Sequence, residues 1–329
     1  MSGIKQKLNI DLPLSALISQ PTIRALAELI ESQGTSHLWE VIVPIRRTGE
    51  KTPLFLIHGA GLNILLYQSL TKHLKADRPI YALQARGLDG KQTLNTNIPE
   101  MAGFYIDEIK KVQPKGPYYF LGFSLGGFIA YEMGRILAER GEQSYFVGAI
   151  DSVVSDAMEE KSQLKKITDT IVQIVAMPAT VFWLFLKEPM AEKRKFVENK
   201  VKNISLIMRY YMKRYQDQPS EMDAPKEGED LSAVYLNSEL RIKLMASLRK
   251  YLIVPADIKL DLFRAGKATF YIRDKKDYGW TKYARKGLVQ HVIPGEHSSM
   301  FAHPNDILFA DILQKRLEEC DLMPRNNDL

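Results

Sequence analysis

The sequence predicts an α/β fold: a mostly parallel central sheet with helices on both faces, interrupted by one large helical insertion. Three observations predict it. Short apolar runs, at 53–59, 117–123 and 144–150 among others, alternate with longer stretches of helical period. The alternation stops after Asp151, and a charged, Met- and Tyr-rich stretch of helical character fills 156–250 before it resumes. At 122–127 an apolar run meets a helical stretch across the joint GFSLGG.

Residues 4–33 form a small helical unit punctuated by Pro13 and Pro21. Pro21-Thr22 opens a helix with Ile23, Ala25, Leu26, Leu29 and Ile30 on one face. About thirty residues cannot bury a core alone, and 34–37, GTSH, reads as a linker. The second unit, 38–329, starts with strands at 39–47, 53–59 and 79–86 and helices at 63–74 and 99–113. A strand at 117–123, a helix over 125–140 and a strand at 144–152 follow. After the insertion, strands at 267–274 and 288–295 and a helix at 305–320 complete the pattern. Such strands pair in parallel through right-handed crossovers. An insertion as long as 156–250 is expected to be a lid over a site.

Composition narrows the function classes. Lys and Arg number 45 against 39 Asp and Glu, a net charge of +6. Without a dense basic cluster interleaved with aromatics, this argues against a nucleic-acid partner. The single cysteine, Cys320, allows no disulfide within the chain, which fits a reducing compartment and a cytoplasmic protein. The N-terminal MSGIKQKLNIDLPL has no continuous apolar core of the signal-peptide kind. The most apolar run, 170–186, is short for a membrane span and is broken by Gln173, Pro178 and Thr180, so no membrane contact is expected. Phosphate-binding, dinucleotide and metal-ligand spacings are absent, so neither a metal nor a bound cofactor is expected.

The joint itself carries chemistry. Gly122-Phe123-Ser124-Leu125-Gly126 is a Gly-x-Ser-x-Gly motif with a strand before it and a helix after it. A turn that sharp strains Ser124 and lifts its Oγ clear of the sheet, and side chains at 122 and 126 would collide with backbone. Ser124 is therefore the candidate nucleophile. It needs a base. Of the six histidines, His37, His73 and His58 precede the serine, and His291 sits inside a strand. His297 follows the last strand, where a loop returns to the sheet's C-terminal edge; His303 is the second candidate. The third member is a carboxylate at a strand end, Asp151 or Asp274. Either keeps the order Ser…Asp…His of an α/β-hydrolase fold. For the oxyanion, the backbone N–H of Leu125 is one candidate donor. The second is the N–H of Ala60, aimed by Gly59 and Gly61 in LIHGAG, where His58 orders the loop.

With these residues placed, 38–320 resembles the C-terminal thioesterase domain of nonribosomal peptide and polyketide synthases. The matching stretches are PLFLIHGAG, IYALQARGLDG, PYYFLGFSLGGFIAYEM, GAIDS and YGW…VIPGEHSSMFAHP. The resemblance implies Asp151 rather than Asp274 as the acid, and the backbone at Ala60 and Leu125 as the oxyanion hole. DLPLSALISQPTIRALAELI resembles the C-terminal part of an acyl or peptidyl carrier domain, so 1–33 is expected to be a carrier fragment lacking the phosphopantetheine-bearing serine.

The resemblance further implies upstream carrier and synthase modules as partners. The substrate would arrive on a carrier's 4'-phosphopantetheine arm, and an acyl-enzyme on Ser124 would be opened by water or by an internal nucleophile. In the lid, Met177, Phe182, Trp183, Phe185 and Leu186 form an apolar cluster that could line an acyl channel or simply pack the lid. The basic stretch 187–214 is a candidate docking face for an acidic carrier, or a solvated helix face. Other readings of the same residues are a stand-alone editing thioesterase, a lipase or esterase, and a non-catalytic interaction module on a hydrolase fold.

Overall fold

The structure is a computed structural model of the chain. It describes residues 4, 7–10, 12, 15–19, 22–31, 40–62, 64–88, 97–154, 158, 243–248, 250–267, 276–297 and 299–323. The expected linker 34–37, most of the expected lid, the basic stretch 187–214 and Asp274 lie outside the described residues, as do Met177, Phe182, Trp183, Phe185 and Leu186.

The strands are β1 (Ile42–Arg46), β2 (Leu54–Ile57), β3 (Ile80–Leu83), β4 (Tyr118–Phe123), β5 (Ser144–Ile150), β6 (Leu260–Ala265) and β7 (Leu288–Ile293). Among the described residues they form one sheet in the order β1-β3-β2-β4-β5-β6-β7. β1 runs antiparallel to β3, and every other pair is parallel. Among the described residues the helices that frame the sheet and the N-terminal unit are α1 (Ala16–Ser19), α2 (Ile23–Glu31), α3 (Tyr67–Thr71), α4 (Ile98–Val112), α5 (Leu125–Glu139) and α6 (Asn305–Asp321). This is an α/β-hydrolase fold, with the site at the C-terminal edge of the parallel strands.

Crossover handedness sorts the helices. β2 to β3 runs one way along the sheet, while β3 to β4 and β4 to β5 run the other. Right-handed connections therefore put α3 on one face and α4 and α5 on the opposite face. The two buried cores bear this out. One gathers Phe55, Ile57, Tyr118 and Phe120 with α4 and α5; the other gathers Leu54, Leu56, Tyr119 and Leu121 with α3 and α6. Alternate residues of β2 and β4 thus feed opposite cores, which is why both strands are apolar throughout. Strand order reverses beside β2 and β4, and such a switch point opens a crevice beyond the strands' carboxyl ends. A smaller cluster of Leu12, Ala16 and Leu29 holds the N-terminal helices together.

One expectation needs correction, and one strand was not expected. The helix expected over 63–74 is only Tyr67–Thr71. Its flanks are closed by i to i−3 bonds, Tyr67 N–H to Ile64 O and Leu74 N–H to Thr71 O, which belong to a tighter turn than the α-helix. The strand expected at 267–274 is preceded by one the pattern did not suggest: β6 is Leu260–Ala265, and 268–275 lie outside the described residues. Asp261 and Arg264 break the apolar run of β6, yet Asp261 is buried against Arg316 and His291.

Candidate active site

A single residue separates β4 from α5. Reversing the chain from strand to helix there leaves Ser124 at φ 54° and ψ −112°, a region that non-glycine residues avoid. Neighbours hold that strain. The Ser124 N–H donates to Ile150 O at 2.8 Å, and the Ser152 hydroxyl donates to Ser124 O at 2.7 Å. A Cβ at 122 would lie 2.0 Å from Gly126 O, and one at 126 would lie 2.6 Å from the carbonyl oxygens of both Ile57 and His58. Gly127 is equally constrained, since its Cβ would meet Ser152 Oγ at 2.1 Å. The glycines permit close approach rather than unusual torsions.

Asp151 directly follows β5 and is also strained, at φ 47°. Its N–H donates to Phe263 O at 2.7 Å, and its Oδ1 accepts from the Ala265 N–H at 2.8 Å. The second oxygen faces His297: Nδ1 and Asp151 Oδ2 are 2.6 Å apart. The carboxylate is buried, and the imidazole is about a quarter exposed. With Nδ1 facing Asp151, Nε2 is the ring nitrogen on the opposite side of the imidazole. The imidazole also packs on Phe123, the residue before Ser124, with ring centroids 4.5 Å apart. Burial and the facing Asp151 carboxylate push the Tyr278 phenol up.

Leu125 heads α5, where the first N–H groups have no intrahelical acceptor, and the positive end of the helix dipole lies beside Ser124. The loop after β2 meets this point. A Cβ at Gly59 would lie 3.0 Å from the Phe123 ring, so the Ala60 turn packs against the end of β4. The Leu62 N–H closes that turn on Gly59 O at 3.0 Å. His58 is fully buried there, with Nδ1 2.7 Å from Gly59 O and Nε2 2.7 Å from Tyr105 Oη. Burial pushes its imidazole down to about 4, so it is a neutral structural group at neutral pH.

The other histidines among the described residues lie elsewhere. His291 is 2.9 Å from Asp261 on β6, His73 is 3.2 Å from Asp306, and His303 is largely exposed near the start of α6. Three supporting residues carry no recognisable motif. Tyr67 donates to Ile57 O at 2.7 Å and accepts the Phe123 N–H at 3.0 Å, tying the ends of β2 and β4 together. The Trp280 indole donates to Ser152 O at 2.7 Å. Ser152 braces Ser124. Only the clustering of Ser152 and Trp280 in the short stretches GAIDS and YGW hinted at them.

Residues 52–315 match the family described as Thioesterase domain. Malpibaldin synthetase of Mortierella alpina is 40% identical over 156 residues, 46% of this chain and 3% of the synthetase. A dimodular nonribosomal peptide synthase of Bacillus subtilis (strain 168) is 38% identical over 152 residues, 46% of this chain and 6% of the synthase. The chain therefore spans only a few per cent of the length of these curated relatives. Among solved structures, the four-domain nonribosomal peptide synthetase AB3403 has a TM-score of 0.61 at 23% identity, covering 98% of this chain and 23% of the other. The NocB thioesterase domain has a TM-score of 0.57 at 17% identity, covering 84% of this chain and all of the other. At these identities the likeness is one of fold.

Proposed function

The chain belongs to the thioesterase-domain family, and from that premise we propose that it releases a finished acyl or peptidyl chain from a carrier's phosphopantetheine thioester through a covalent intermediate on Ser124. The observation that carries the reading is the 2.6 Å contact of His297 Nδ1 with Asp151, on an imidazole packed against the residue that precedes the strained serine. A serine hydrolase needs that arrangement and a structural histidine does not.

The reaction runs in two halves. Ser124 Oγ attacks the thioester carbon as His297 Nε2 takes its proton, and the N–H groups of Ala60 and Leu125 receive the developing oxyanion. The C–S bond breaks, and the departing sulfur takes the proton from His297. In the second half His297 deprotonates water or a hydroxyl or amine of the chain itself, which attacks the acyl carbon and frees Ser124. Water yields an acid and an internal nucleophile a ring; a dry enclosure favours the ring. Lid residues Met177, Phe182, Trp183, Phe185 and Leu186 would provide that enclosure.

On this reading residues 1–33 are the end of a carrier domain, 34–37 a linker and 38–329 the releasing domain, with carrier and synthase modules as partners in the cytoplasm. The likeness to the four-domain synthetase, which reaches over 98% of this chain, supports that layout. Among the described residues no helix is long and apolar enough to cross a membrane.

The test is mass spectrometry after incubation with pantetheine-linked acyl chains. A Ser124 adduct and released acid or ring are expected. Ser124→Ala abolishes the adduct and lowers turnover roughly 10⁴–10⁶-fold; turnover that survives it refutes the assignment. Faster turnover of simple esters than of pantetheine thioesters would move the reading to an esterase.

A further inference from the structure

Resting on the triad reading above, we infer that Phe123 is a positioning residue for the base: its ring sets the plane of the His297 imidazole and supports the cation that the imidazole becomes. Phe123 is the last residue of β4, so its backbone is continuous with the serine. Its ring and that of His297 lie 4.5 Å apart at an interplanar angle of 32°. From another side the Phe301 ring approaches Phe123 at 5.1 Å and 88°. Gly59 leaves space for the ring, since a Cβ there would stand 3.0 Å from Phe123 Cδ1. The backbone is pinned as well, by the Phe123 N–H donated to Tyr67 Oη.

One ring therefore touches three loops: the oxyanion loop after β2, the base loop after β7 and the short turn at Ser299–Phe301. Asp151 holds His297 at Nδ1, and the Phe123 face packed on the imidazole restricts the plane in which the ring can lie. When Nε2 takes the serine proton the imidazole becomes a cation, and an aromatic face attracts a cation where an aliphatic side chain of similar bulk does not. The positions of the ring and of Ser124 are coupled through one peptide unit, so base and nucleophile are aligned together.

The experiment measures covalent labelling of the full chain by a fluorophosphonate, separating the maximal rate constant from the half-saturating concentration. Phe123→Leu and Phe123→Met are expected to slow the maximal rate about three- to thirtyfold, the worth of a cation–π contact. The half-saturating concentration should stay within about twofold, because probe binding is not what is lost. Phe123→Tyr restores the rate by restoring the face. Misfolded molecules lower the amplitude of labelling and not its rate constant. Phe301→Leu, which frees the edge of the Phe123 ring with position 123 intact, slows the same constant and covers the case of aliphatic variants that do not fold. Unchanged rates in the Leu and Met variants, a Tyr variant as slow as Leu, or an unaffected Phe301→Leu overturn the inference. If the unsubstituted chain is labelled elsewhere than Ser124, the triad reading fails and this inference with it; labelling at Ser124 with an indifferent position 123 removes this inference alone.

Discussion

At the scale of the residue, what makes Ser124 unusual is backbone geometry. A hydroxyl at φ 54° is lifted from its sheet only if nothing fills the space behind it. Gly126 tests this directly. A methyl group there would sit 2.6 Å from the carbonyl oxygens of Ile57 and His58, at and just past the end of β2, and neither can retreat without disturbing the loop that follows. Gly126→Ala is expected to cost roughly 1–3 kcal/mol of stability, read from thermal unfolding, and to reduce Ser124 labelling more than that loss of folded protein explains. These glycines were legible in the sequence because the collision they avoid is local. Tyr67 and Ser152 were not, because a buried tyrosine or serine looks alike in sequence whether its hydroxyl braces a site or merely finds a partner.

At the scale of the element, β6 shows where pattern reading fails and why. LDLFRA carries Asp261 and Arg264 in a strand of the sheet, so the apolar rule predicts no strand there. The charge of Asp261 is tolerated because α6 supplies Arg316, with Nε 2.6 Å from Oδ1 and Nη2 3.3 Å from Oδ2, and β7 supplies His291. All three come from different parts of the chain. Asp261 and Arg316 are both nearly inaccessible, so removing Arg316 takes the guanidinium from a buried carboxylate that then faces His291. Arg316→Met should destabilise the fold by about 3–5 kcal/mol. Adding Asp261→Val should recover much of that, because an apolar pair needs no compensating charge; chemical denaturation of the single and double variants measures both.

At the scale of the whole molecule, the site depends on the sheet remaining assembled, and His58 couples that assembly to pH. Its folded imidazole titrates at about 4 against an ordinary value of 6.5. Between those limits the unfolded chain binds more protons than the folded one, so stability is complete above about pH 6.5 and declines as pH falls toward 4. The loss attributable to this residue is about 3 kcal/mol. Melting temperatures recorded from pH 7 to 4 should fall less steeply for His58→Asn than for the unsubstituted chain. The sequence by itself determined the parallel α/β architecture, the strained serine and the order of serine, carboxylate and histidine along the chain, because periodicity, glycine sterics and strand ends are local properties of the chain. It left Asp151 and Asp274 undecided until a family likeness was invoked, and it gave no sign of β6. The contact between Asp151 and His297, separated by 146 residues, exists only once β5, β6 and β7 lie side by side. Distances across a sheet are set by strand order and register, which no stretch of sequence encodes on its own.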